Sequence, residues 1–83
     1  MQTVTIELPE ESLLSLKQTA EDFGQELRML AAVKLFELGR LSSGRAAQLA
    51  GISRVAFLLS LQKYKVSPFQ MSRDELARDV NNA

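Results

Sequence analysis

The chain opens on a strict alternation of polar and apolar positions, Thr3-Val4-Thr5-Ile6-Glu7-Leu8, rich in β-branched residues. A period of two puts Val4, Ile6 and Leu8 on one face, so the run predicts a β-strand. Pro9 ends it and suits a first helical turn, and Glu10 and Glu11 complement the positive end of a helix dipole. The pattern then turns helical. Leu13, Leu16, Ala20 and Phe23 fall on one stripe, with Gly24 as the expected stop. A second helix is predicted over 25–38, closed by Gly39. Leu27, Met29, Leu30, Ala31, Ala32, Val33, Leu35, Phe36 and Leu38 make it apolar around most of its circumference. A surface helix needs an apolar stripe only a little wider than about 100°. Burial on two sides is therefore expected, one side supplied by a second chain or, in an ordinary central helix, by the rest of its own chain. The strand points the same way, because no comparable alternating run in the sequence can complete its ladder. The expected contact surface with a second copy is Val4, Ile6, Leu8, Met29, Val33 and Phe36.

The most informative stretch reads Ser42-Ser43-Gly44-Arg45-Ala46-Ala47-Gln48-Leu49-Ala50-Gly51-Ile52-Ser53-Arg54-Val55-Ala56-Phe57. Ser42 or Ser43 caps a short helix, and Ala46, Ala47 and Ala50 form an inner face small enough for close crossing. Gly51 supplies a left-handed turn, Ile52 is expected to plug the corner, and Ser53 caps the next helix. Alanine four residues before a glycine and an apolar residue six after it, Phe57, is helix-turn-helix spacing. A helical hairpin with no role on DNA carries the same spacing. In the DNA-binding version the second helix lies in the major groove and shows its first residues to base edges. Ser53, Arg54 and Val55 stand there, and Arg54 is expected to grip guanine with two prongs. Arg40, Arg45, Lys63 and Lys65 are expected on phosphates. Leu58 and Leu59 oppose that reading, because apolar residues follow where a DNA reader shows polar ones. They equally suit a surface for a protein partner.

The tail turns at Pro68, and Ser72 with Glu75 has capping-box spacing for a last short helix. Leu76 and Val80 make one small apolar face there, suited to docking on a partner or to packing back on the chain itself.

Charge sharpens the picture. The net charge is zero. Residues 1–39 nevertheless hold seven acids against Lys17, Arg28 and Lys34, whereas residues 40–65 hold Arg40, Arg45, Arg54, Lys63 and Lys65 and no acid. A patch of one sign inside a neutral chain is the electrostatic mark of a nucleic-acid surface. With 83 residues and no cysteine or histidine, the chain has neither disulfides nor the usual zinc ligands to support so small a core. One domain is expected, with 1–39 for dimerisation, 40–65 as the helix-turn-helix and 66–83 as tail. The fold class is mainly α, an N-terminal strand forming a ribbon with a second chain, then four to five helices. No His or Cys and no Gly-rich phosphate loop is present, and the paired acids sit at helix starts, so the chain is not expected to be an enzyme or to hold a cofactor or metal. It lacks a basic leader and any run of about 20 apolar residues, so no membrane contact and a cytoplasmic location are expected.

Thr3-Val4-Thr5-Ile6-Glu7-Leu8-Pro9-Glu10-Glu11 followed by two helices resembles the opening of ribbon-helix-helix antitoxins. The whole chain is similar to a family of short uncharacterised bacterial and archaeal proteins linked to VapB-like antitoxins, most specifically in the segment from Gly39-Arg40-Leu41 through Ser53-Arg54. That resemblance implies a homodimer, transcriptional autoregulation on double-stranded DNA and a toxin partner such as a PIN-domain nuclease. Glu7 and Glu26 stand where ribbon-helix-helix proteins approach DNA, which moves the expected contact to the helix-turn-helix. Two functional expectations follow: an antitoxin-like DNA-binding regulator, or a protein-interaction module whose helix-turn-helix serves assembly.

Overall fold

The computed structural model describes residues 2–68. Among these the chain forms four α-helices, α1 (Glu10–Leu16), α2 (Ala20–Glu37), α3 (Ser43–Ala50) and α4 (Arg54–Ser60), and α4 runs on into a 3-10 turn over Leu61–Tyr64. The domain is all-helical there. The expected N-terminal strand is absent: residues 2–9 form no regular element, and Val4 stays 81% exposed. Alternation sets which face a strand would bury, but a strand also needs backbone partners, and among the described residues no second segment supplies them.

The first helical stripe is broken in two. Lys17 takes a left-handed conformation (φ 55°) and closes α1, its N–H reaching the carbonyls of Leu13 and Leu14. Thr19 then caps α2, its Oγ1 accepting from the Asp22 N–H at 3.1 Å. Gly24 is thus interior to α2 rather than the stop of the first helix. The spacing of Leu13, Leu16, Ala20 and Phe23 spans the break because a short non-helical link can preserve a stripe by chance. At its far end α2 stops where expected. Gly39 (φ 74°) lets its own N–H reach the Phe36 carbonyl and that of Arg40 reach Leu35, which satisfies the last carbonyls of the helix.

The core lies where α2 meets α3 and α3 meets α4. Ala32, Val33 and Phe36 of α2 pack on Ala46, Ala47 and Ala50 of α3, with Phe57, Leu61 and Val66 closing the far side. The alanines leave room for both phenylalanine rings, which meet edge to face at 5.6 Å and 86°. α1 buries nothing. Its Leu14 and Leu16 are exposed, so the compact part of the molecule runs from Met29 to Val66.

Candidate nucleic-acid interface

Three serines build the helix-turn-helix. Ser42 Oγ accepts from the Arg45 N–H at 3.2 Å and starts α3; Ser53 Oγ accepts from the Ala56 N–H at 3.1 Å and starts α4. Each is the N-cap side chain that a helix start requires. Between them Gly51 (φ 77°) turns the chain, and the Ile52 N–H returns to the Ala47 carbonyl at 3.0 Å. Ile52 was expected to plug the corner. It stands 37% exposed instead, while Phe57 and Leu61 are fully buried in the core.

The third serine, Ser43, is fully buried, and its Oγ accepts from Arg54 Nε at 2.8 Å. This charge-assisted bond ties the first residue of α4 to the first residue of α3. Arg54, expected to read guanine, therefore has its Nε engaged inside the motif. A second arginine locks the other side. Arg28 of α2 donates through Nε to the Leu49 carbonyl at 2.8 Å, meeting an end-of-helix carbonyl that has no partner within α3. Its guanidinium lies over Gly51. Sequence reasoning missed Arg28. It sits among apolar residues on α2, and nothing in the local pattern says which carbonyl it meets.

The outer surface holds the expected cations. Arg40, Arg45, Arg54, Lys63 and Lys65 are all exposed, and no acid lies within 40–65. Arg45 Nη1 donates to Gln48 Oε1 at 3.1 Å on its own helix. Between these cations α4 shows an apolar ridge: Val55 is 67% and Leu59 75% exposed, one turn apart. Leu58 turns inward and packs against the core. It also lines, with Leu59, Gln62, Lys65 and Val66, an open groove of about 470 Å³.

The residues expected at a dimer surface divide. Val33 and Phe36 are buried in the protomer's own core and Met29 packs against it, because the alanine face of α3 covers that side of α2. Val4, Ile6 and Leu8 instead border an apolar groove of about 630 Å³ with Phe23, Leu27 and Ala31. Leu76 and Val80 lie outside the described residues. Among the described residues no cluster of His, Cys, Asp or Glu has the makings of a metal site, and no helix is long and apolar enough to cross a membrane.

Comparison with known proteins places this arrangement in a family. The pattern described as "Uncharacterised protein family (UPF0175)" matches residues 1–83. A UPF0175 protein of Aeropyrum pernix is 36% identical over 59 residues, covering 71% of this chain and 75% of the relative. A second from the same organism is 32% identical over 80 residues, covering 96% and 84%. One from Archaeoglobus fulgidus is 33% identical over 57 residues, covering 69% and 64%. No solved structure matches the chain.

Proposed function

Because the chain belongs to UPF0175, a family described only as uncharacterised, we propose its function from the helix-turn-helix itself: a DNA-binding, antitoxin-like regulator that acts as a homodimer. The observation that carries this reading is the separation of charge. Five exposed cations and no acid lie on the segment that holds both capped helices, while seven acids lie on residues 1–39. Duplex DNA attracts the first surface and repels the second, which orients the protein with α3 and α4 toward the phosphates. In this reading the dimer forms through the outer side of α2 and the groove beside it, where apolar side chains face away from the protomer's core. The resemblance to VapB-like antitoxins adds a toxin nuclease as the protein neutralised.

The test is a titration of the DNA upstream of the protein's own gene across a range of salt. Affinity should fall steeply with salt, because each neutralised phosphate releases counterions. Binding that ignores salt, or no binding at low salt, ends this reading.

A second reading, a protein-interaction module with a helix-turn-helix that never meets DNA, is favoured by the exposure of Val55 and Leu59. Capture of a protein partner that is lost in a Leu59→Ser variant, together with indifference to DNA, would support it.

A further inference from the structure

The exposed apolar ridge of α4 is the feature that a generic DNA-binding surface leaves unexplained. We propose that Val55 and Leu59 read thymine methyl groups in the major groove of A·T-rich duplex DNA, an inference that rests on the DNA-binding reading above. Four observations meet here. Val55 and Leu59 belong to the second helix of the motif, the one that enters the groove. They are the most exposed apolar side chains of 40–65. They lie in a segment, 40–65, whose five cations Arg40, Arg45, Arg54, Lys63 and Lys65 are all exposed and which holds no acid to repel a backbone. The Nε of Arg54, the helix's most obvious polar reader, is engaged by Ser43.

The chemistry selects one base. In the major groove only thymine offers an apolar group, its C5 methyl. Cytosine presents an amino donor and guanine two acceptors, and a leucine pressed against either would strip water from polar groups and give no hydrogen bond in return. The ridge therefore gains from thymine and loses from G·C pairs. Its spacing sets a register. Residues three or four apart on a groove-bound helix meet successive bases. Val55 and Leu59, four apart, thus address thymines at neighbouring base pairs.

The experiment uses the upstream DNA prepared with thymine or with uracil, which lacks only the methyl. The wild-type protein should bind the uracil duplex about fourfold more weakly for each methyl the ridge buries, the equilibrium equivalent of one buried methylene. The salt dependence should not change, since the phosphates are the same. Single replacements should locate sensitive positions at neighbouring base pairs. Leu59→Ser, on an exposed position and checked for an unchanged circular dichroism spectrum, should bind the two duplexes more nearly alike, and Val55→Ser should do the same at the other position. Equal wild-type affinity for both duplexes overturns the proposal and leaves the DNA-binding reading standing. So does a Leu59→Ser protein that keeps its thymine preference but loses a protein contact, since the ridge is then an interface between proteins. Failure to bind either duplex at low salt removes the DNA-binding reading itself.

Discussion

The Arg28 guanidinium lies flat enough over Gly51 that its Nη2 is 3.4 Å from the point where a Cβ on that glycine would stand, while its Nε holds the Leu49 carbonyl at 2.8 Å. One side chain of α2 thus clamps the end of α3 and roofs the turn that sets the direction of α4. The two residues fail differently. Gly51→Ala meets only the movable tip of an arginine, so its cost comes from the left-handed backbone, about 1–2 kcal/mol. Arg28→Ala removes a hydrogen bond at an exposed site, where water replaces it, and should cost about 1 kcal/mol or less. Arg28→Lys should recover little, because an ammonium has no planar fork to bridge carbonyl and turn. Urea unfolding of the three variants checks the order; a Gly51→Ala protein as stable as wild type would contradict it.

Two other glycines should respond with opposite signs. Gly24 lies inside α2 with nothing within 4 Å of a built Cβ, whereas Gly39 closes the helix at φ 74°. Gly24→Ala should therefore stabilise the protein by about 1 kcal/mol, the difference in helix propensity. Gly39→Ala should destabilise it by a similar amount. The urea midpoints should move in opposite directions at constant slope. Movement in the same direction would show that the assignment of α2 across Gly24 is wrong.

What the sequence revealed, and what it hid, follows from the range of each interaction. The caps at Ser42 and Ser53 and the turns at Gly39 and Gly51 act over three to five residues, and each was legible as a local pattern. So was the buried alanine face of α3. The break between α1 and α2 was equally local, yet the continuous stripe from Leu13 to Phe23 masked the Thr19-x-x-Asp22 cap that marks it. The strand could not be settled locally at all, since a ladder depends on a second segment. The bonds of Arg28 to Leu49 and Arg54 to Ser43 cross 21 and 11 positions. Both belong to helix crossing, which periodicity does not report. For the same reason Val33 and Phe36 read as a free apolar face until α3 was placed against them.

Arg45 and Arg54 should separate affinity from architecture. Arg45 is exposed and, among the described residues, its side chain bonds to Gln48 on its own helix, so Arg45→Ala should leave stability within about 0.5 kcal/mol. If it sits on a phosphate, the variant should weaken binding to all sequences alike and lower the salt slope by about 0.9. Arg54→Ala should differ. It leaves the buried Ser43 hydroxyl without the guanidinium and costs about 1 kcal/mol in stability besides its effect on DNA. Denaturation and anisotropy on the same two proteins make the comparison. Equal loss of stability in both would remove the distinction.

The last prediction concerns the second apolar side of α2. The buried face of this helix is Ala32, Val33 and Phe36, and Leu30 on its other side remains 41% exposed. At 100° per residue, Phe23, Leu27, Leu30, Ala31 and Leu38 cluster opposite that buried face, interrupted among the charged residues only by Lys34. Lys34 is paired with Glu37 at 2.8 Å. If this side carries the dimer, Leu30→Glu should convert the protein to a folded monomer, because a charge placed there obstructs association and can still reach water in the free chain. Val33→Asp, at a position 5% exposed, should instead unfold the protomer, since it buries an unpaired carboxylate at a cost of several kcal/mol. Sedimentation and circular dichroism together read both outcomes. Wild-type protein that sediments as a folded monomer at micromolar concentration excludes the dimer. A Leu30→Glu protein that still sediments at twice the chain mass moves the interface to another face.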